Sequence, residues 1–365
     1  MKYVLHIIAK LYIGGAEKVA RDIGLYAPEG YENHYVVFTD EIGAYEAELQ
    51  ACGCKVFHIP PPSESYAGFV RNLKKLMREY PYQAVHAHTM FNAGWVMFAA
   101  KQMGVPVRVA HAHSALRNGR SLKKDLYEAA MRGMILRCAT DLVGCGVDAG
   151  NRLFGEKAFA ERGKLILNGI DTDKFAFSES MRTEMRAKLG LTDAFVIGHV
   201  GHLAEVKNQK YLISLLPGLM KKRENAVLLL LGDGDDRAML EREAETLGVR
   251  ERVLFTGNVN NVQDYLCTMD VFAFPSLFEG MPLSIVEVQS NGLPCVLSDR
   301  VPEDVYLTGL IHALPLETPA AWIDAVCSAQ RAGCEAYALL LREKGFDIRT
   351  VADRFYRIYE RNNHD

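Results

Sequence analysis

Two glutamates, Glu279 and Glu287, lie with seven residues between them in a segment whose other residues suit a loop that turns into a helix. Gly280 permits the turn, and Pro282 suits the first position of a helix. The backbone N–H groups of such a helix start can bind a phosphate. A carboxylate at Glu287, near the exposed start of the helix, can accept two hydroxyl hydrogen bonds from a ribose, and Glu279 can do the same for a sugar ring. The spacing therefore predicts a site that binds a phosphate and sugar hydroxyls.

An ordinary capped surface helix with two exposed glutamates is the alternative interpretation of this segment. The preceding residues argue against it, because Val271–Pro275 is apolar enough for a buried strand. A loop that follows such a strand lies at the carboxyl edge of a sheet, where parallel sheets bind their ligands.

A second candidate for anion binding is the glycine pair Gly14–Gly15, directly after the first apolar run. Glycine allows a close backbone approach, and the helix that follows offers free N–H groups. Strand-to-helix turns of any kind often need glycine, and the spacing is not that of a dinucleotide-binding loop. The pair therefore suits a phosphate without specifying one.

Short β-branched runs alternate with longer amphipathic segments, which is typical of βαβ units and a parallel sheet. The pattern runs through the first half of the chain and then restarts. The predicted strands are Val4–Ile8, His34–Phe38, Lys55–Ile59, Ala84–His88, Val107–His111 and Asp141–Gly144, then Phe195–Val200, Val227–Leu231, Val253–Phe255, Val271–Pro275 and Cys295–Leu297. The sequence thus predicts an α/β protein with two doubly wound domains in tandem and a cleft between them.

The predicted domain boundaries follow from the polar stretch between the two patterns. Residues 1–170 form the first domain, 171–193 a linker and 194–348 the second domain. A C-terminal helix over 349–362 is expected to join the first domain.

The string Phe274–Val296 resembles the donor-binding signature of glycosyltransferase family 4. Further segments support the resemblance in order along nearly the whole chain: Gly14–Glu17, Asn168–Asp171, Gly198–Gly201 with Lys207 and Asn208, and Gly232–Gly234. Ala110–Ser114, Val296–Pro302 and Leu314–Leu316 are similar to segments of bacterial exopolysaccharide and capsule glycosyltransferases.

The resemblance implies the GT-B fold, in which two Rossmann-like domains face a cleft, and a retaining transfer of sugar. The donor would be a uridine diphosphate (UDP) sugar that carries a hexose or an N-acetylhexosamine. The acceptor would be a polyprenyl-diphosphate-linked glycan in exopolysaccharide or capsule synthesis, bound by the first domain, while the second domain binds the nucleotide sugar. Two alternatives stay open: a sugar-nucleotide epimerase of the same fold, for which no acid–base set is identified, and a donor-binding protein without turnover.

The resemblance also implies roles for single residues. Lys207 is expected to neutralise the donor diphosphate as the glycosidic bond breaks, Glu279 to contact the sugar, and His113 to lie near the donor sugar and acceptor. These three are the expected catalytic residues, and His111 is the alternative to His113. The expected donor-binding residues are Gly14, Gly15, His202, Lys207, Gly232, Asn258, Val259, Glu279, Gly280, Met281, Pro282, Leu283 and Glu287.

One position departs from the family pattern. The family has Gly-Arg-Leu before the lysine, whereas this chain has His202 between Gly201 and Leu203. Histidine cannot make a fixed bidentate contact with a phosphate as arginine does, and it is mostly neutral near pH 7. Either His202 becomes protonated when the donor binds, or another basic residue substitutes, or activity is reduced.

Two acidic strings, Asp171-Thr-Asp173 and Asp233-Gly-Asp235, look like the metal-binding D-x-D motif of other glycosyltransferases. Turn chemistry explains both, since aspartate and glycine favour tight turns. Lys207 and a helix terminus already suit the leaving diphosphate. We therefore expect no metal-ligating residues in the chain, no essential metal and no cofactor beyond the donor.

The charge distribution indicates whether the chain binds nucleic acid or a membrane surface. The net charge is −3, and no nucleic-acid-binding motif is found, so no nucleic acid is expected. The first half is net positive, with basic clusters over Arg71–Arg78 and Arg117–Lys124, although each cluster alone suits a solvated helix face. No run approaches the roughly 18 apolar residues that span a bilayer. We predict a cytoplasmic protein that contacts the anionic inner face of the membrane peripherally.

Overall fold

The computed structural model describes residues 1–12, 14–114, 121–331 and 335–360, and the chain divides into two units. The first unit comprises Met1–Gly169 and Gly345–Asp365, and the second comprises Ile170–Lys344. Each unit has one parallel sheet with helices between its strands. The predicted fold class of two doubly wound domains is confirmed.

The sheet of the first unit has seven strands in the order β3-β2-β1-β4-β5-β6-β7. The strands are β1 Lys2–Ile7, β2 Tyr31–Val37, β3 Lys55–His58, β4 Tyr82–Ala87, β5 Val107–Ala112, β6 Asp141–Gly144 and β7 Gly163–Leu165. The helices are α1 Gly15–Leu25, α2 Glu46–Ala51, α3 Tyr66–Glu79, α4 Ala93–Gln102, α5 Leu122–Cys138, α6 Val147–Phe154 and α7 Glu156–Arg162. The strand order reverses between β1 and β4, so ligands are expected beyond the carboxyl ends of these two strands.

Alternation along the strands explains how both faces of this sheet are covered. Val36 belongs to one apolar cluster and its neighbours Tyr35 and Val37 to another, since successive side chains of a strand point to opposite faces. Helices α3, α4 and α5 contribute to the cluster that contains Val36, for example through Leu73 and Ile135.

The second unit repeats the same order with six strands, β10-β9-β8-β11-β12-β13. They are β8 Phe195–Val200, β9 Ala226–Leu231, β10 Val253–Gly257, β11 Val271–Phe274, β12 Cys295–Ser298 and β13 Ile311–Leu314. Its helices are α8 Glu179–Leu189, α9 Gln209–Lys222, α10 Arg237–Thr246, α11 Val262–Thr268, α12 Leu283–Ser290, α13 Pro319–Ser328 and α14 Glu335–Glu343. All six residues of β9 are buried, as its aliphatic sequence predicts.

The segment 171–193, predicted as a linker, is instead part of the second unit. It contains α8, which packs on α11. The Arg182 guanidinium donates to the carbonyls of Cys267 (3.0 Å) and Met269 (2.9 Å), and Arg186 donates to the carbonyl of Thr268 (2.8 Å). Both arginines also form ion pairs with Asp270. The polar residues that suggest a linker therefore hold α8 against the rest of the second unit.

The last described helix, α15 Ile348–Tyr359, belongs to the first unit, where it packs against α1. The Tyr356 hydroxyl donates to the Ile23 carbonyl (3.2 Å) and lies 3.0 Å from Oδ1 of Asn33. A Cβ at Gly169 would lie 2.8 Å from the Cα of Ile348, so glycine permits the close approach of this helix. Residues 361 and 362 of the predicted helix lie outside the described residues.

Candidate functional site

The switch point of the second sheet brings the loop after β8 against the loop after β11. These two strands are paired neighbours, so their carboxyl ends lie side by side. The N–H of Leu277 donates to the carbonyl of Val206 (2.8 Å), and the Asn208 amide donates to the carbonyl of Pro275 (3.2 Å). Residues that are some 70 positions apart in sequence therefore share one site.

Lys207 and Glu279, predicted to be catalytic, form an ion pair in this site. Lys207 Nζ lies 2.6 Å from Glu279 Oε1, with side-chain exposures of 21% and 10%. The ammonium also lies 5.1 Å from the centre of the Phe274 ring. Asn208, in the left-handed conformation (φ 54°), joins the turn Glu205–Lys207 to the start of α9. A cation and a carboxylate are thus held together where a sugar diphosphate is expected.

Helix α12 begins four residues after Glu279 and carries Glu287 on its second turn. Its first residue is Leu283, and Pro282 occupies the N-cap position instead of the first helical position predicted from sequence. Seven of its eight residues are buried, which rules out the alternative of an ordinary surface helix. Glu287 is only 6% exposed, so its carboxylate is not near an exposed helix start as expected.

The other predicted donor-binding residues of this unit lie on loops at the carboxyl ends of its strands. Gly232 follows β9 with φ 128°, and a Cβ there would lie 2.1 Å from the Gly201 carbonyl oxygen, so glycine is required. The exposed His202 lies close to Gly234, whose added Cβ would be 2.9 Å from Cε1 of its ring. Further loop residues in the set are Asn258, Val259, Gly280 and Met281.

The glycine pair of the first unit lies at that unit's own switch point, after β1. Gly14 is the N-cap of α1, and a Cβ there would lie 2.4 Å from Oε2 of Glu17. Burial raises the pKa of Glu17. A Cβ at Gly15 would meet no atom of the described residues within 4 Å, so packing against them does not require this glycine. Because Gly15 has no side chain, the N-terminus of α1 is open to an approaching anion.

His113 lies at the end of β5, within a cluster of histidines that the sequence analysis did not predict. Its Nε2 is 2.9 Å from Nδ1 of His88, and its Nδ1 is buried and has no hydrogen-bond partner among the described residues. Burial lowers the pKa of His113 to about 3, so the ring is neutral near pH 7. The alternative candidate, His111, is fully buried, whereas His113 is half-buried. The cluster also contains His6 and His86. Its signal in the sequence is the repeated His-Ala-His at the ends of β4 and β5.

Both acidic strings serve turns. Asp171 Oδ1 accepts hydrogen bonds from the N–H groups of Asp173 (3.2 Å) and Lys174 (3.1 Å). Asp233 Oδ1 accepts from the N–H of Gly234 (2.9 Å), and its other oxygen faces Arg237. The turns account for both strings, while the metal requirement of the protein stays a prediction.

Two family models match the chain. The model for glycosyltransferase family 4 matches residues 13–174, and the model for glycosyl transferases group 1 matches residues 181–307. These matches cover most of both units.

Relatives and solved structures resemble the chain over most or all of its length. EpsF of Bacillus subtilis strain 168, named as a glycosyltransferase, is 34% identical over 98% of this chain and 96% of its own. An Escherichia coli UDP-Gal:alpha-D-GlcNAc-diphosphoundecaprenol alpha-1,3-galactosyltransferase is 30% identical over 62% of this chain and 60% of its own. The crystal structure of HepE from Anabaena with UDP-glucose is 21% identical and covers 98% of this chain and 99% of its own, with a TM-score of 0.77.

Proposed function

The chain belongs to glycosyltransferase family 4, and on that premise we propose that it transfers a hexose or an N-acetylhexosamine from a UDP-sugar, with retention at the anomeric carbon. The acceptor in this proposal is a polyprenyl-diphosphate-linked glycan of exopolysaccharide or capsule synthesis. Support for the donor and acceptor classes comes from relatives, since HepE binds UDP-glucose and the E. coli relative is named for UDP-Gal and a diphosphoundecaprenol acceptor.

The observation that carries this proposal is the Lys207–Glu279 ion pair, in which Glu279 lies four residues before α12 begins. Breaking the glycosidic bond leaves negative charge on the diphosphate, and a fixed ammonium stabilises that charge in the transition state. The N–H groups at the start of α12 are suited to the same phosphates. When the donor binds, the Lys207 ammonium turns partly from Glu279 to the diphosphate. Glu279 can then accept a hydrogen bond from a sugar hydroxyl.

The remaining roles follow from the positions of the other residues. Glu287 accepts hydrogen bonds from the ribose in this proposal, and its low exposure strengthens such bonds because water competes less for the carboxylate. His113 offers its buried Nδ1, which has no hydrogen-bond partner in the part of the chain that the structure describes, to a hydroxyl of the donor sugar or acceptor.

Transfer is tested by measuring UDP release with and without a polyprenyl-diphosphate glycan, together with NMR of the product's anomeric configuration. Acceptor-dependent release and a retained configuration are expected. Interconversion of the sugar without an acceptor would indicate the epimerase, and binding without any release would indicate a donor-binding protein.

We also propose that transfer needs no metal, so the rate of UDP release should persist in EDTA. Loss of activity that magnesium or manganese restores would contradict that part.

A further inference from the structure

Five histidines form two hydrogen-bonded chains in the first unit, and both chains end at β5. In the first chain, Nε2 of His6 lies 3.1 Å from Asn33 Oδ1, and its Nδ1 lies 3.3 Å from Nε2 of His88. The Nδ1 of His88 then faces His113 at 2.9 Å. In the second chain, Nδ1 of His86 lies 2.6 Å from the Tyr359 hydroxyl, and its Nε2 lies 3.1 Å from Nδ1 of His111.

The first chain fixes which nitrogen of His88 carries a lone pair. The Asn33 amide nitrogen lies 3.5 Å from the Gly24 carbonyl, so its oxygen is the atom that faces His6. His6 therefore donates from Nε2 and accepts at Nδ1, which makes Nε2 of His88 the donor. The lone pair of His88 is then on Nδ1, directed towards His113.

The two chains end on Nε2 of His111 and Nδ1 of His113, and neither nitrogen has a hydrogen-bond partner within the described ranges. His111 is fully buried, so an unpartnered nitrogen there is costly unless another group binds it. One ring nitrogen from each of His88, His111 and His113 lies within 4.8 Å of those of the other two.

We propose that His88, His111 and His113 form a binding site for one transition-metal ion of the zinc class. Among the described residues the cluster offers three neutral imidazoles and no carboxylate, which favours Zn²⁺, Co²⁺ or Ni²⁺ over Mg²⁺ or Ca²⁺. His88 would bind through Nδ1 and His111 through Nε2, because their other nitrogens face His6 and His86. The half-buried His113 leaves the fourth position open to water, as in sites with three protein ligands.

The surrounding residues fit the second shell of such a site. Histidine ligands commonly donate their other N–H to a polar group that orients the ring. Here His6 and His86 are those groups for His88 and His111, and Asn33 and Tyr359 support them in turn. An ion would join the carboxyl end of β4 to that of β5. The site shares His113 with the proposed function, in which that residue faces the donor sugar or acceptor, and it departs from the expectation of no metal ligands. The ion is not required for transfer in this proposal. Metal binding is measured without the donor, so its failure is distinguishable from a failure of the proposed function.

Binding is tested on the full chain without a histidine tag, after EDTA treatment and desalting. Titration with Co²⁺, followed by visible absorption, should give one ion per chain with the strong bands of four-coordinate cobalt. Titration calorimetry with Zn²⁺ should give the same stoichiometry, and Mg²⁺ should give no binding. A wild-type chain that binds neither Co²⁺ nor Zn²⁺ would overturn the proposal.

Substitutions assign the site. His86→Gln removes an outer partner and should weaken Zn²⁺ binding by about 10–100-fold, and His111→Gln, which removes a ligand, should weaken it further. His312→Gln, at an exposed position on β13, is the matched control and should bind as the wild type does. Unchanged affinity in His111→Gln would overturn the assignment.

X-ray absorption of the zinc-loaded wild type decides the question even where a variant fails to fold. Three imidazole nitrogens at roughly 2.0–2.1 Å are expected. A shell made of oxygen atoms alone would show adventitious surface binding and contradict the site.

Discussion

The ion pair of Lys207 and Glu279 stabilises two largely buried charges and also holds them where the donor is expected to bind. Each side chain is mostly buried, and an ionised group with so little exposure to water needs a partner of opposite charge. A donor diphosphate offers Lys207 a second partner with more negative charge. The pair therefore holds the ammonium near the position where charge develops during transfer.

Lys207→Ala should lower kcat more than it raises KM, because the ammonium acts mainly on charge that appears in the transition state. Steady-state UDP release at varied donor concentration measures both constants. Lys210→Ala, at an exposed position on the first turn of α9, is the control and should leave both unchanged. An effect confined to KM would contradict the assigned role.

Glu287→Ala should weaken donor binding by about 1.5–3 kcal/mol, since hydrogen bonds to a charged acceptor are lost. Calorimetry with UDP measures this loss directly, and far-UV circular dichroism checks that the buried helix α12 remains folded. Glu303→Gln, on the exposed surface of the same unit, should bind UDP normally. Wild-type affinity in Glu287→Ala would exclude a contact with the ribose.

His202→Arg should tighten UDP binding, because arginine stays charged and offers several hydrogen-bond donors to the diphosphate. His202→Ala should bind UDP more weakly than the wild type does. Titration calorimetry with UDP measures the affinity of all three proteins. If they bind UDP equally, His202 serves only the turn after β8.

At the scale of elements, the sequence predicts best where burial is apolar and regular. Strand β8 has the predicted bounds, Phe195–Val200, and four of its six residues are buried. The sequence of α8 wrongly predicts a linker, because the helix is held in place by arginines that donate to backbone carbonyls. The sequence does not predict the edge strands β7 and β13, because they are short and poorly buried.

At the site, too, the sequence predicts local structure better than contacts between distant segments. The Glu279–Glu287 spacing predicts a loop and a helix, but the 2.6 Å contact with Lys207 depends on the pairing of β8 with β11. The histidine cluster likewise depends on the register of β4 and β5, in which Ala87 pairs with Ala110. Neither register can be read from one sequence without knowledge of the sheet order.

Strand β8 contains a histidine that should make the second unit sensitive to acid. His199 is fully buried, and burial lowers its pKa from 6.5 to about 4. The unfolded chain binds this proton more readily, so stability is lost as pH falls from about 6.5 towards 4. Between pH 7 and pH 5 the free energy of unfolding should fall by about 2 kcal/mol from this group.

Urea unfolding at several pH values measures that loss. His199→Gln keeps a polar side chain near the Ala273 carbonyl and removes the titrating group, so its stability should depend less on pH. An equal slope in both proteins would show that other groups cause the acid sensitivity.

At the scale of the whole chain, exposed basic and apolar side chains lie on the neighbouring helices α3 and α5 of the first unit. Tyr66, at the start of α3, stacks on Trp95 of α4 and Tyr127 of α5, so the three helices lie side by side. Leu122 and Leu126 of α5 are 77% and 64% exposed. Part of the predicted basic cluster, including Arg117 and Arg120, lies outside the described residues. Within the described ranges, no helix has the length and apolarity needed to cross a bilayer.

We predict that this surface binds anionic membranes peripherally, through the charges on Arg71–Arg78 and Lys123–Lys124 and through the two leucines. Co-sedimentation should show binding to vesicles that contain phosphatidylglycerol at low salt, and release as salt rises, because charge is screened over about 8 Å at physiological ionic strength. Leu122→Ser with Leu126→Ser should reduce the part of the binding that resists salt, since buried apolar area adds to the electrostatic attraction. Leu339→Ser, which removes an exposed leucine from the second unit, is the matched control and should bind as the wild type does. Equal binding to neutral vesicles would refute the electrostatic account.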